Sequence, residues 1–302
     1  MLLMPTGPMK RRVCPFTGCA AGRKLLAQPQ TMSGPRTSHD DRSEFLLRRR
    51  PRCGALRPLH RRGLLASDIE FYLEYARRFG GPILELGTGT GRVLVPLADA
   101  GHEVVGMDLS RPMLDRAAAK LRERPELSHR VRLVEGDMTS FDLEQRFALA
   151  LVPARSFQHV ATPEGQRRAL ACIRRHLLPG GHLILGRIDP NFELLFGDDG
   201  KAPPREAQHP RSGHLIRRMV VARHTDPFQQ TVHEVLRFEE FDAAGNVVDS
   251  EERSWSLRWS MRQETAYLLE LSGFEVIDLY SDFSRSSPDY GREQLWIARA
   301  RQ

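Results

Sequence analysis

Pro82-Ile83-Leu84-Glu85-Leu86-Gly87-Thr88-Gly89-Thr90-Gly91-Arg92 decides the reading of this chain. A short apolar run ends in an acid, a glycine-rich turn follows, and the residues after it carry helical spacing. The order is therefore strand, tight loop, helix N-terminus. Glycines let the backbone turn sharply and let a ligand come close, and the helix that follows aims free N–H groups at that ligand. The stretch predicts a nucleotide-type site at the end of a buried strand.

Downstream the pattern repeats. Val104-Val105-Gly106-Met107-Asp108 reads as a second buried strand, with Asp108 placed 17 residues beyond Gly91, where an open parallel sheet sets an acid against ribose hydroxyls. Ser110 and Pro112 open a helix with Leu114, Ala117 and Leu121 inside. Val131 to Val134 is a third strand, ending in Glu135-Gly136-Asp137-Met138. Phe147 to Val152 is uninterrupted apolar sequence, as a strand covered on both faces requires. Thr162-Pro163 starts the next helix, and Pro179-Gly180-Gly181 stops it before the strand His182 to Leu185. This alternation specifies a doubly wound α/β fold on a mostly parallel sheet.

After Asp189 the pattern changes. Residues 198–213 read as loop, and Leu215–His224, Thr231–Phe241 and Val247–Trp259 read as an antiparallel β-meander insertion, with Ala243-Ala244-Gly245-Asn246 as one turn. Ser260-Met261-Arg262-Gln263 has the pattern of a capping box for a helix ending near Gly273. Phe274–Tyr280 and Gln294–Ala298 then return to the main sheet as a hairpin. Upstream, Ser67-Asp68-Ile69-Glu70 is another capping-box pattern, opening a helix that Gly80-Gly81 ends.

Charge divides the chain. The whole sequence of 302 residues has a formal net charge of +7, but residues 1–66 hold 14 Lys and Arg against 3 Asp and Glu, which leaves 31 basic and 35 acidic residues for the rest. The body is mildly acidic, so phosphate-backbone binding is not its expected business. Residues 1–66 read as a disordered basic leader: a tether to an anionic surface, a targeting segment, or a start that lies downstream, for instance at Met32, are all open. Residues 67–302 form the expected functional domain, with 198–259 as an insertion covering the substrate. Three of the four cysteines, Cys14, Cys19 and Cys53, lie in the leader, which argues against a disulfide framework. No apolar run approaches the ~20 residues of a membrane span, and the default location is the cytoplasm.

Together, Glu85-x-Gly87-x-Gly89-x-Gly91, Asp108, Asp137-Met138, Pro179-Gly180-Gly181 and Gly273-Phe274 make residues 67–300 resemble the class I S-adenosylmethionine-dependent methyltransferases, of the small-molecule type. The resemblance implies a seven-stranded sheet with a reversed C-terminal hairpin, and S-adenosylmethionine as cofactor. It implies that Glu85, Gly87, Thr88, Gly89, Gly91 and Pro153 line the methionine end, that Asp108 holds the ribose hydroxyls, and that Met113, Asp137 and Met138 receive the adenine. Glycines spaced GxGxG, an acid two residues before the first of them, and no second mononucleotide half all count against a dinucleotide dehydrogenase.

Methyl transfer from a sulfonium asks the protein mainly to align and desolvate the nucleophile, with a base where a proton must leave. His159 is the candidate base or orienting group, with a purely structural hydrogen bond as the alternative. Arg155, Phe157, Arg187 and Arg217 are candidate acceptor-binding residues, Arg155 having local ion pairing as its alternative. His233, Trp255 and Trp259 are further wall candidates in the meander. The segment Arg155 to His159 lacks the Asn/Asp-Pro-Pro-aromatic signature of enzymes acting on nucleobase amines or glutamine amides. The expected partner is a small-molecule acceptor methylated on N or O, without nucleic acid, membrane or metal; a homodimer is left open. The rival reading is a non-catalytic cofactor-binding protein on the same fold.

Overall fold

The computed structural model describes residues 68–197, 204–209 and 212–301. The basic leader and the cap residue Ser67 lie outside the described residues. The described residues begin with helix α1 (Asp68–Phe79), strand β1 (Ile83–Leu86), helix α2 (Leu94–Asp99), strand β2 (Val104–Asp108), helix α3 (Arg111–Arg122) and strand β3 (Val131–Glu135). Strand β4 (Phe147–Val152), a 3-10 turn (Ser156–His159), helix α4 (Pro163–Arg175) and strand β5 (Leu177–Ile188) follow. Then come α5 (Phe192–Phe196), β6 (Arg205–Gln208), β7 (Leu215–Asp226), β8 (Thr231–Phe241), β9 (Val247–Arg258), α6 (Arg262–Leu271), β10 (Phe274–Tyr280) and β11 (Glu293–Ala300).

The main sheet has seven strands in the order β10-β11-β5-β4-β1-β2-β3. Strands β1 to β5 run parallel, and β11 is antiparallel to both β5 and β10. Period-two alternation sends side chains to opposite faces. Ile83, Leu149, Leu151, Ile184, Leu295 and Ile297 pack with α1 and α2. Leu84, Leu86, Met107, Ala150, Val152, Leu183, Leu185 and Trp296 pack with α4 and α6. Each fully buried aliphatic side chain contributes about 1.5–3 kcal/mol. Two helical layers thus clamp the sheet, and its parallel strands all end on one rim.

The second sheet, β6-β7-β8-β9, is antiparallel throughout. Val220, Leu236 and Phe238 form its small core, with Trp255 packed against them. It contains one strand more than the sequence suggests: Arg205–Gln208, expected as loop, pairs with β7 as an edge strand. Strand β5 also starts earlier than expected, at Leu177, because a register shift between Phe147 and Leu149 of β4 absorbs the Pro179-Gly180-Gly181 turn within the strand. At α6 the cap is displaced by one residue from the expected Ser260–Gln263 pair. Met261 is the cap, and its N–H donates to Glu264 Oε2 at 2.7 Å.

Candidate active site

The rim where β1, β2, β4 and β5 end gathers most of the polar residues singled out from the sequence. At β1 the Gly87 and Thr88 N–H groups donate to the Met107 carbonyl at 2.8 and 3.0 Å, so the loop stays tied to β2. Gly87 has φ +72°, and a Cβ there would lie 2.5 Å from Ser156 Cβ; only a glycine lets the loop and the 3-10 turn touch. Gly89 has φ +56°, and a Cβ there would meet no atom within 4 Å, so its backbone borders open space. Gly91 N–H closes the loop on the Thr88 carbonyl at 2.9 Å.

Asp108 is pinned opposite this loop. Its Oδ2 accepts from Gly89 N–H at 2.7 Å and its Oδ1 from Ser110 N–H at 2.8 Å. A carboxylate has about four lone-pair sites, so each oxygen keeps capacity for one more donor. Burial pushes its pKa up, while the two N–H bonds and nearby His159 oppose that shift.

Behind the loop lies a buried polar cluster. Glu85 is 1% exposed, and burial raises its carboxyl to about 8, against opposing effects of Arg92 and Thr88. Asp68, wholly buried, accepts from Arg92 at 2.6 Å. Asp68 Oδ2, Tyr72 Oη, Glu85 Oε2 and Thr88 Oγ1 are buried without a hydrogen-bond partner among the described residues. Orphaned buried oxygens are costly, and this set, mostly acceptors, suits a cationic group such as an ammonium. Those atoms, the open space at Gly89 and the spare lone pairs of Asp108 fit a ligand with an amino group at one end and a diol further along. Asp68, Tyr72 and Arg92 were not among the expected site residues; the sequence shows Asp68 only as part of a cap pattern and Arg92 only as the residue after the loop.

The adenine candidates border the same rim. Asp137 is exposed, and its Oδ1 accepts from Thr139 N–H at 2.7 Å. Met138 packs against the core beside it, and Met113 is half-buried at the start of α3. The buried Pro153 offers its carbonyl to Ser156 Oγ at 2.9 Å. Ala154 and Arg155 follow with φ +55° and +66°, two successive non-glycine residues in the left-handed region. Such backbone costs on the order of 1–3 kcal/mol per residue and persists where surroundings fix it. Here the fixing contact is the ion pair of Arg155 with the nearly buried Glu293 of β11.

The 3-10 turn presents three consecutive side chains. Phe157 is fully buried, and the Arg187 guanidinium of β5 lies over its ring at 5.6 Å. Gln158, 1% exposed, accepts from Ile188 N–H at 2.9 Å and donates to the Arg258 carbonyl at 3.2 Å, so one amide bridges the ends of β5 and β9. His159 Nδ1 faces the Ser256 carbonyl at 3.2 Å, with the Trp255 ring 6.0 Å away. A carbonyl only accepts, so Nδ1 carries the proton and Nε2 keeps its lone pair in the neutral ring. Burial lowers the imidazole pKa, against the Ser256 bond and Asp108. The residue is nevertheless exposed to solvent. The lowered pKa favours the neutral ring.

Arg217 is not brought to this cluster. It pairs with Glu206 at 2.7 Å and covers the Phe241 ring. Ser256, the partner of His159, aligns through His233 with His224, seven residues along β7 from Arg217. That separation is roughly 20 Å along the strand. His233 bonds Ser256 Oγ at 2.6 Å, and Trp255 donates to Glu234 Oε2 at 2.8 Å. Among the described residues no group of three or more His, Cys, Asp or Glu is placed to hold a metal ion, and no helix is long and apolar enough to cross a membrane.

Residues 83–181 match the family described as Methyltransferase domain. The cypemycin N-terminal methyltransferase of a Streptomyces species is 36% identical over 120 residues, which are 39% of this chain and 47% of the relative. A glycine/sarcosine N-methyltransferase of Halorhodospira halochloris is 33% identical over 136 residues, 44% of this chain and 50% of the relative. The chain spans about half the length of these curated relatives. Among solved structures, the CcbJ methyltransferase from Streptomyces caelestis superposes with a TM-score of 0.64 at 25% identity, covering 78% of this chain and 90% of that one.

Proposed function

Because the chain carries a class I S-adenosylmethionine-dependent methyltransferase domain, we propose that it methylates an amine nitrogen on a small-molecule acceptor. The observation that carries the reading is the Asp108 carboxylate, fixed by Gly89 and Ser110 N–H groups beside an open backbone. The bound cofactor supplies an electrophilic methyl group on a sulfonium, with the leaving group already attached. Asp108 holds the ribose diol with its remaining lone pairs, a bidentate use of one carboxylate. Gly87, Thr88, Gly89, Gly91 and the Pro153 carbonyl border the methionine end, and Glu85 with Asp68 meets its ammonium. Asp137, Met113 and Met138 surround the adenine, the methionines as soft apolar walls.

His159 takes the proton that the acceptor nitrogen must lose, through the Nε2 lone pair left by the Ser256 contact. Phe157 and the end of β9 wall the acceptor, with residues 204–259 of the meander as its cover and Trp255 beside His159. The preference for nitrogen rests on the relatives, two of which carry N-terminal or glycine/sarcosine N-methylation in their names. A panel of primary and secondary amines, with matched alcohols, assayed for S-adenosylhomocysteine release tests the proposal. Turnover with amines and none with alcohols is expected; turnover confined to alcohols, or none with any acceptor despite bound cofactor, overturns it.

A further inference from the structure

Arg187, expected from the sequence to bind the acceptor, has an unusual environment. Its side chain is wholly buried, yet Nε, Nη1 and Nη2 have no hydrogen-bond acceptor among the described residues. Its guanidinium lies over the face of Phe157. A buried guanidinium is ordinarily matched by a carboxylate or by carbonyls, because desolvating a charge without a partner costs several kcal/mol.

The neighbouring acids bond other groups. Asp189, two residues further along, accepts from Gly291 N–H at 3.0 Å and from the Gln294 amide. Glu264 accepts from Met261 N–H at 2.7 Å and from Gln230 at 2.9 Å. Arg258, the other nearby cation, donates to the Gln229 carbonyl and to Gln230 Oε1. A second donor is orphaned as well. Trp259 Nε1 is buried without an acceptor among the described residues.

Gln158 ties together the two chain segments that carry these donors. Its amide oxygen binds the N–H of Ile188, the residue after Arg187, and its amide nitrogen binds the carbonyl of Arg258, the residue before Trp259. Orphaned donors therefore flank both ends of one bridging amide, next in sequence to His159. The Trp259 ring is covered by Phe192, edge-on at 5.6 Å, from α5, a helix with no buried residue.

We infer that Arg187 and Trp259 form the subsite for a carboxylate carried by the acceptor, so that the amine reaches His159 while its acid is held at the end of β5. This deepens the proposed methyl transfer and rests on it. The guanidinium fork matches a carboxylate bidentately, and the indole N–H supplies a third donor. Arg258 and Glu264 act on the guanidinium in opposite directions, so neither compensates its charge. Burial draws the guanidinium pKa down to about 10, so it stays charged at neutral pH and keeps its demand for an anion.

The test uses the full chain saturated with S-adenosylmethionine and reads the indole N–H resonances of its three tryptophans, Trp255, Trp259 and Trp296. Acetate is the probe, with acetamide, chloride and inorganic phosphate as comparators, and Trp259→Phe assigns the signal. Acetate should shift the Trp259 resonance saturably and leave Trp296 in place, and acetamide should not. Arg187→Met should weaken that response about 100-fold or more, with Arg187→Lys intermediate. In the transfer assay, amino acids should outperform their carboxamides, and the preference should vanish in Arg187→Met. A Trp259 signal that ignores acetate, responds equally to acetamide or chloride, or favours phosphate overturns the inference even with no variant in hand. So does an Arg187→Met protein that keeps the preference for acids. Failure of the cofactor to bind wild type would instead overturn the methyl-transfer reading beneath it.

Discussion

Gly87→Ala probes the contact on which the rim depends, that between the glycine loop and the 3-10 turn. The new Cβ would sit 2.5 Å from Ser156 Cβ, on a backbone with φ +72°. The left-handed backbone alone costs about 1–2 kcal/mol for a residue with a Cβ. Overpacking against a fixed neighbour adds about 1–3 kcal/mol, so the variant should lose about 2–5 kcal/mol of stability. The turn that must yield carries Phe157, Gln158 and His159, and transfer should fall more than cofactor affinity does. Ser156→Gly separates the two parts. It removes the colliding atoms, leaving Ser156 Cα at 4.0 Å, an ordinary contact. It also removes the bond from Ser156 Oγ to the Pro153 carbonyl, which is worth about 0.5–1.5 kcal/mol. Urea denaturation of wild type, both single variants and the double variant completes the cycle. The double variant should be more stable than additivity allows, by about 1–3 kcal/mol. Additivity within about 0.5 kcal/mol would refute the loop-on-turn contact.

Three further expectations follow from the same site. Glu85, with its pKa raised to about 8 by burial, binds a proton in the native state that the unfolded chain releases above its ordinary value. Stability of the cofactor-free protein should therefore fall as pH rises from about 4.5 to 8, by on the order of 4 kcal/mol, and Glu85→Gln should flatten the profile in denaturant titrations. If the cofactor ammonium meets Glu85, binding near pH 7 should release a proton, seen as a dependence of calorimetric heat on buffer ionisation enthalpy. The lowered pKa of His159 places the acid limb of kcat/KM below the ordinary imidazole value of about 6.5. His159→Asn should cost about 10²–10⁴-fold in rate and abolish that limb; a limb that persists would assign the base elsewhere. Gln158→Ala leaves the Ile188 N–H and the Arg258 carbonyl without their partner, and should destabilise by about 2–4 kcal/mol while loosening the acceptor side without changing cofactor affinity.

The proposed cofactor half of the site rests on chemistry that is local in the sequence. Asp108 follows an apolar run whose burial both faces require, and Gly87 to Gly91 can hardly form anything but a tight loop. The acceptor half was less legible because it is made of contacts distant in sequence. Arg155 meets Glu293 across 138 residues, and Gln158 meets Arg258 across 100; neither spacing leaves a periodic signal. Arg217 looked like a wall residue, but β7 runs for 12 residues and carries it to the far end of the meander. Strand β6 escaped notice because Arg-Glu-Ala-Gln has no apolar alternation, as an exposed edge strand permits. At Arg187 the residue type was apparent and its environment was not: complete burial without an acceptor is a property of packing.

The central claim is that Asp108, fixed by Gly89 and Ser110, holds a ribose diol. Calorimetric titration of S-adenosylmethionine into wild type and Asp108→Asn tests it most directly. The amide keeps the shape, but turns an NH₂ toward a backbone N–H and loses the charge. Binding should weaken by about 2–3 kcal/mol, or about 30–150-fold, with the fold intact in denaturation. Equal affinity in the two proteins would contradict the account.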